Sequence, residues 1–219
     1  MTNIRVTGFK WVPPFAQGLV RDLRVRWALE EAGLPYEENL LGQGEQNSAQ
    51  HRAVQPFGQV PVYEEDDLTL FESGSIVLHI GEKSPALLPR EPGARARVIT
   101  WMFAALNSVE PPLLTLAALD SFFAQEEWAR LRKPSALAMA QSRLNGLAAG
   151  LGDRDYFAGT FSAADILMTT VLRFIKHTPL VADMPTLAAY QARCEARPAF
   201  QRALESQLAP FAKYAPAAA

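Results

Sequence analysis

Residues 57–82 read FGQVPVYEEDDLTLFESGSIVLHIGE, and the reading of the whole chain turns on them. Gln59-Val60-Pro61-Val62-Tyr63 is a β-branched run with a proline inside it. Proline lacks the N–H that a central ladder needs, so Pro61 belongs at a strand start, an edge or a special turn. Asp66-Asp67 is a turn pair, and Leu68-Thr69-Leu70-Phe71 is a second short strand. Glu72-Ser73-Gly74-Ser75 then opens an apolar helix through Ile76, Val77, Leu78 and Ile80. An acid and a serine at a helix start can cap it, or can leave backbone N–H groups aimed at a bound anion.

Upstream, Ile4 to Phe9 alternates as a strand. Lys10 to Gly18 is a loop with two prolines, and it carries Trp11 and Phe15. A helix is expected over Leu19–Ala32, with Gly33 as its C′ residue and Pro35 as a stop. Arg24 and Arg26 are expected at solvent, at the seam between domains or against Glu30. Tyr36–Leu41 reads as a second strand and Ser48–Val54 as a short helix. Strand, helix and strand in succession predict a parallel pair with a right-handed crossover. The closing hairpin is antiparallel, so the four-stranded sheet is mixed.

Downstream, Ser84 to Gly93 (SPALLPREPG) has three prolines and a glycine and reads as a linker. It separates a first domain, residues 1–84, from an all-helical second domain, residues 94–219. In the second, Ala94–Val109 is helical, Pro111-Pro112 interrupts or kinks it, and Leu113–Leu131 is helical in pieces. Pro134–Leu151, Ile166–Ile175, Thr186–Ala196 and Ala199–Leu208 complete the set. One start is well specified: Ser162 with Asp165 three residues on forms a capping box, and Phe161 with Ile166 can form a hydrophobic staple.

Composition narrows the function classes. The chain has 219 residues, 49% hydrophobic and 20% charged, which is ordinary globular protein. A net charge of -2 implies no broad attraction to nucleic acid or to anionic membrane. The single cysteine, Cys194, rules out an intrachain disulfide and a cysteine metal cluster. His51, His79 and His177 show no ligand spacing, so no metal is expected; His79 and His177 read as satisfied core or interface residues. No apolar run approaches the roughly 18 residues of a membrane span, and a signal-peptide pattern is missing, so a cytoplasmic location is expected.

The architecture and three motifs resemble the glutathione S-transferase family, in its cytosolic, bacterial-looking form. The motifs are Gln59-Val60-Pro61, Glu72-Ser73, and Gly159-Thr160-Phe161-Ser162-Ala163-Ala164-Asp165. The resemblance implies a thioredoxin-like first domain with a mixed four-stranded sheet, then an all-helical domain. It implies glutathione as co-substrate, with a cis peptide before Pro61 turning the Val60 backbone toward the cysteinyl unit. Glu72 would pair with the γ-glutamyl ammonium, and the Ser73 hydroxyl and N–H would hold its carboxylate. Gln59, with His51 or Arg52, would reach the glycyl carboxylate. The family's electrophile site lies between the domains, which points to Trp11, Pro13 and Phe15 with Phe103 and Asn107. A homodimer is also implied, with Arg95 and Arg97 in the region expected to meet Glu65 or Glu82.

One element of the family pattern is missing. Members place a Tyr, Ser or Cys near the start of the first helix, beside the glutathione sulfur. Between Thr7 and Leu29 this chain has none of the three. A thiol of pKa about 8.5 is mostly protonated at neutral pH and needs help to become the nucleophile. Arg21, as a fixed cation, and Gln17 are the side-chain candidates; backbone N–H groups near Leu19 and Val20 are the other. The expected function is attack of bound glutathione on an electrophile, or glutathione-dependent peroxide or disulfide reduction. The alternative is a ligand carrier or protein-interaction module on the same fold.

Overall fold

The computed structural model describes residues 3–216, which fall into two compact units. One comprises the chain up to Leu87 together with the stretch from Arg197; the other runs from Leu88 to Ala196.

The first unit is built on a sheet of order β2-β1-β3-β4, with β1 at Ile4–Phe9, β2 at Glu37–Leu41, β3 at Val62–Glu65 and β4 at Leu68–Phe71. β1 runs parallel to β2, from Arg5↔Glu37 to Phe9↔Leu41, and antiparallel to β3, which pairs antiparallel with β4. The mixed sheet is the expected one, and the alternation in β1 explains its burial. Ile4 and Val6 go into the core, while Arg5 pairs across the other face with Glu64 at 2.9 Å. Pro61 stands just before β3, where its missing N–H removes nothing from the ladder.

Helix α1 spans Asp22–Ala32 rather than starting at Leu19. A 3₁₀ turn at Pro14–Ala16 and Gly18 at φ 74° occupy the approach, and the Leu19 N–H donates to the Ala16 carbonyl at 3.0 Å. Every residue from Asp22 to Leu29 is buried, because α1 packs on β1, on α3 (Ser73–Glu82) and on α9 (Pro198–Lys213). Arg24 and Arg26 therefore lie in the interior, which corrects the expectation of solvent or seam. A single apolar stripe was too narrow a reading for a helix enclosed on three sides. Arg26 donates to Asp22 at 2.8 Å and to Ser206 at 2.7 Å, and also pairs with Glu38. Burial opposes its charge, but Asp22 and Glu38 outweigh burial and raise its pKa. Asp22 is pushed up by burial, against the pull of Arg26. Gln207 on α9 donates to Asp22 at 2.6 Å and to the Val20 carbonyl at 3.0 Å, so the last helix closes this unit.

Helix α3 carries His79, which meets Glu65 at 2.9 Å. Tyr63 and Lys83 also bond Glu65. Burial would raise the pKa of this carboxyl, but its three donors prevail and hold it down at about 2. Glu65 is 7% exposed and takes all three of these donors from its own chain.

The second unit holds α4 (Pro92–Phe103), α5 (Glu110–Ser121), α6 (Glu127–Leu151), α7 (Ala163–Leu172) and α8 (Pro185–Glu195). Pro111-Pro112 does not break the first of these. A π-helical turn at Ala104–Val109 joins α4 to α5, and both prolines sit in the first turn of α5, where a missing N–H is tolerated. The joined stretch from Pro92 to Ser121 is long and apolar enough, by length and composition, to cross a membrane. The sequence reading missed this by dividing the stretch at its prolines. Here Val98, Met102, Ala105, Val109 and Leu113 are buried, and all three segments pack on α7. Helix α6 begins at Glu127 rather than Pro134 and carries that proline on an exposed face.

Helix α7 is buried throughout and starts at the expected capping box. The Ser162 N–H donates to Asp165 Oδ2 at 2.9 Å and its hydroxyl to the same oxygen at 3.0 Å. The Phe157 N–H and the Tyr190 hydroxyl reach Oδ1 at 3.2 and 3.1 Å. Burial nevertheless raises the Asp165 pKa to about 6. His177 pairs with Asp120 at 3.1 Å. The short helix α2 (Ala49–Val54) belongs to the first unit.

Candidate functional site

The β3–β4 ladder ends at Val62↔Phe71, so Pro61 and Glu72 are the next residues on the two strands. The Val60–Pro61 peptide is cis. Among the described residues, no hydrogen bond uses the Val60 N–H or carbonyl. The approach to this peptide is propped from beneath. Gln55, 2% exposed, accepts the Phe57 N–H at 2.8 Å and the Gln59 N–H at 3.1 Å. His51, 6% exposed, meets the Gln59 carbonyl at 2.7 Å. His51 thus holds the backbone that carries the open peptide, and Arg52 donates to Asn47 and to the Pro56 carbonyl. The Gln59 side chain is on the exposed surface.

Glu72 is the N-cap of α3, at φ 67° and ψ 109°. This is a conformation that a residue with a Cβ seldom adopts and that is held only where the surroundings impose it. Its exposed carboxylate caps nothing, and it has no partner among the described residues. The first intrahelical bond of α3 runs from the Ile76 N–H to the Glu72 carbonyl, leaving the Ser73, Gly74 and Ser75 amides at an uncapped helix start. The buried Ser73 hydroxyl accepts from Arg24 Nη1 at 3.1 Å. Orphan amides beside a free carboxylate form a pair of opposite potentials a few ångströms apart. They suit a zwitterionic α-amino-acid group, and the open Val60 peptide beside them suits an extended backbone.

At the N-terminus of α1, Arg21 is the N-cap and offers no side-chain cap. The Val20 N–H has no partner among the described residues, whereas the Leu19 N–H is taken. Gln17 donates to the Val12 carbonyl at 3.1 Å, which ties it to the loop. Trp11, Pro14 and Gln17 join Leu208, Phe211 and Ala212 of α9 around an apolar pocket of about 420 Å³. Pro13 and Phe15 stand exposed on the same loop. Phe103 and Asn107 are exposed on α4 and the π turn of the second unit. Sequence reasoning missed Arg24, Gln55 and the α9 side of the pocket. The Asp22–Arg26 spacing of four was the one legible hint that α1 buries charge.

The profile "Glutathione S-transferase, N-terminal domain" matches residues 16–82. Glutathione S-transferase 4 of Zea mays is 32% identical over 189 residues, covering 80% of this chain and 83% of that protein. A glutathione transferase structure from Burkholderia graminis, with two glutathione molecules bound per subunit, superposes with a TM-score of 0.82 at 26% identity, covering 93% of this chain and 88% of that one. A theta class glutathione S-transferase from Xanthomonas axonopodis, with glutathione bound, gives 0.77 at 26% identity, covering 93% and 98%. The architecture, the cis peptide, the open helix start and these likenesses lead to one conclusion: the chain belongs to the glutathione S-transferase family.

Proposed function

We propose that this protein binds glutathione along Val60–Pro61 and Glu72–Ser73 and presents its sulfur, as thiolate, to a small electrophile. The observation that carries this reading is the Glu72 carboxylate, left without a partner among the described residues at φ 67° beside the uncapped amides of α3. The ammonium of the γ-glutamyl group would meet Glu72 and its carboxylate would meet Ser73. The cysteinyl backbone would pair with Val60 like an added strand, and Gln59 would meet the glycyl end. His51 acts in this scheme by holding Gln59. Membership of the family carries glutathione transferase activity generally; the bound glutathiones of the Burkholderia and Xanthomonas proteins support the choice of ligand.

Thiol activation falls to Arg21 and to the Val20 N–H, with Gln17 on the same turn. A cation and a helix N-terminus both favour the thiolate. Peroxide or disulfide reduction would use glutathione's own sulfur, since Cys194 is buried in α8. The electrophile would lodge against Trp11, Pro13 and Phe15 in and around the 420 Å³ pocket, whose mostly apolar wall with one amide suits a partly apolar molecule. Phe103 and Asn107 are proposed as further electrophile contacts. A homodimer in the cytoplasm, where the glutathione pool resides, completes the reading. Phe57, 63% exposed and edge-on to Phe71 at 6.2 Å, is one of the exposed apolar side chains on this unit that such an association would cover.

Calorimetry with glutathione, followed by ultraviolet titration of the bound thiol, tests the proposal. Binding with thiolate present at neutral pH is expected. Absence of binding at millimolar glutathione overturns it, and binding without thiolate turns the protein into a carrier.

A further inference from the structure

We propose that Gln207, on α9, is a positioning residue for thiol activation. It clamps the turn at the head of α1, so that the Val20 N–H stays available to the glutathione sulfur. The inference rests on the glutathione reading above and on its assignment of the Val20 N–H to the thiol.

Val20 is half-buried and stands just ahead of α1. Its own N–H has no partner among the described residues, yet the backbone on either side is tied down. Before it, Gly18 bends the chain at φ 74° and the Leu19 N–H donates to the Ala16 carbonyl at 3.0 Å. After it, the Val20 carbonyl accepts from the Leu23 N–H at 3.1 Å and from Gln207 Nε2 at 3.0 Å. A peptide unit is planar, so a bond to its N–H or its carbonyl fixes the whole unit. The Leu19–Val20 peptide, which carries the open N–H, therefore lies between two anchored peptides. One of the two anchors is a side chain from the far end of the chain.

The chemistry of the amide supports the assignment. Gln207 is 1% exposed, and its second Nε2 hydrogen goes to Asp22 Oδ1 at 2.6 Å. Arg26 takes the other oxygen of Asp22 at 2.8 Å. A carbonyl and a carboxylate only accept, so the amide must turn its nitrogen toward them. Its oxygen is left buried with no hydrogen-bond partner, an arrangement that costs stability. What the amide gains lies wholly on its nitrogen side, at Val20 and Asp22. Ser206, its neighbour on α9, bonds elsewhere, to Arg26 at 2.7 Å and Tyr36 at 3.2 Å. Helix α9 thus docks on α1 through one residue and grips the turn through the next.

The test reads two quantities on the full chain. Ultraviolet titration gives the pKa of the bound glutathione thiol. Calorimetry with S-methylglutathione, which has no ionisable thiol, reports the rest of the site. Wild type should hold the bound thiol below the ordinary value of about 8.5. Gln207→Met, close in length but without a donor, should raise that pKa by about 1, which is about tenfold less thiolate at neutral pH. Its affinity for S-methylglutathione should change by less than about twofold, far below the tenfold of one lost hydrogen bond to a charged group. Ser206→Ala, which loosens the docking of α9 and leaves the turn gripped, should move neither quantity. An unchanged thiol pKa in Gln207→Met overturns the inference. So does a pKa raised as much by Ser206→Ala, or a Gln207→Met protein whose S-methylglutathione affinity falls tenfold. Circular dichroism reports whether each variant folds. Should Gln207→Met not fold, Gln207→Asn decides, since its amide falls one methylene short of Val20: a raised pKa supports the clamp and an unchanged one overturns it. Wild-type protein that binds neither ligand refutes the glutathione reading and this inference with it. Wild-type binding with a lowered thiol pKa that Gln207→Met leaves in place refutes this inference alone.

Discussion

Two helices of this protein begin with the same chemical parts and use them in opposite ways. Helix α7 starts with Ser162 and Asp165, and α3 starts at Glu72 and Ser73. At α7 the carboxylate is fully enclosed and takes the Ser162 and Phe157 N–H groups and the Ser162 and Tyr190 hydroxyls. At α3 the carboxylate faces outward at a positive φ, makes no cap, and leaves the helix amides unanswered. Serine and an acid do not by themselves announce a site. What separates scaffold from site is whether the protein closes its own hydrogen bonds or leaves them for something else.

The comparison can be broken most forcefully at the closed start. Asp165→Ala strips four donors of their acceptor inside the second unit. Stability should fall by about 4 kcal/mol in denaturant titration, from buried donors left unpaired. A loss under about 1 kcal/mol would mean that water or a shifted backbone replaces the carboxylate.

The same carboxylate gives a pH signature. Folded Asp165 titrates at about 6 against an ordinary 3.8, so the folded chain holds a proton that the unfolded chain has already released. Its contribution is greatest below the unfolded value, falls as pH rises through that window, and is constant above it. Asp165→Asn cannot ionise. The stability difference between wild type and this variant should therefore shift against the wild type by about 2–3 kcal/mol between about pH 4 and pH 7. A difference that does not change with pH contradicts the burial argument. Glu65 acts in the opposite sense. Its carboxyl is held down at about 2, so its stabilisation is present above the ordinary 4.5 and lost as the solution is acidified toward 2. Working with a difference between variants cancels it.

Ser162→Ala should cost about 1 kcal/mol of stability, the usual worth of an N-cap. Glu72→Gly should do the reverse at the open start. Glycine accepts φ 67° without strain, so stability should rise by roughly 1 kcal/mol while glutathione affinity falls. If Glu72→Gly destabilises the chain, Glu72 is a structural residue and the contrast between the two starts fails.

The fold was legible where a local pattern decides it. Alternation placed β1, the Asp66-Asp67 turn placed the hairpin, and the Ser162/Asp165 spacing placed the start of α7. The open peptide at Pro61 could be read because proline excludes the interior of a ladder. What sequence hid was decided by distant partners. The charges of Arg24 and Arg26 look like surface charges until α3, α9 and β2 supply Ser73, Ser206 and Glu38. The helical run passes Pro111-Pro112 without interruption because both prolines fall in the first turn of α5, directly after the π turn, where a missing N–H is tolerated. His51 meets the Gln59 carbonyl through Nε2, a contact that depends on which way an imidazole turns and that no local pattern shows.

The central claim is that the uncapped start of α3 is a binding surface for the γ-glutamyl end of glutathione. Calorimetric titration of glutathione into wild-type and Glu72→Ala protein tests it most directly. The account predicts wild-type binding that Glu72→Ala weakens by about 1.5–3 kcal/mol, the worth of a hydrogen bond to a charged group. An unchanged dissociation constant in Glu72→Ala would contradict it.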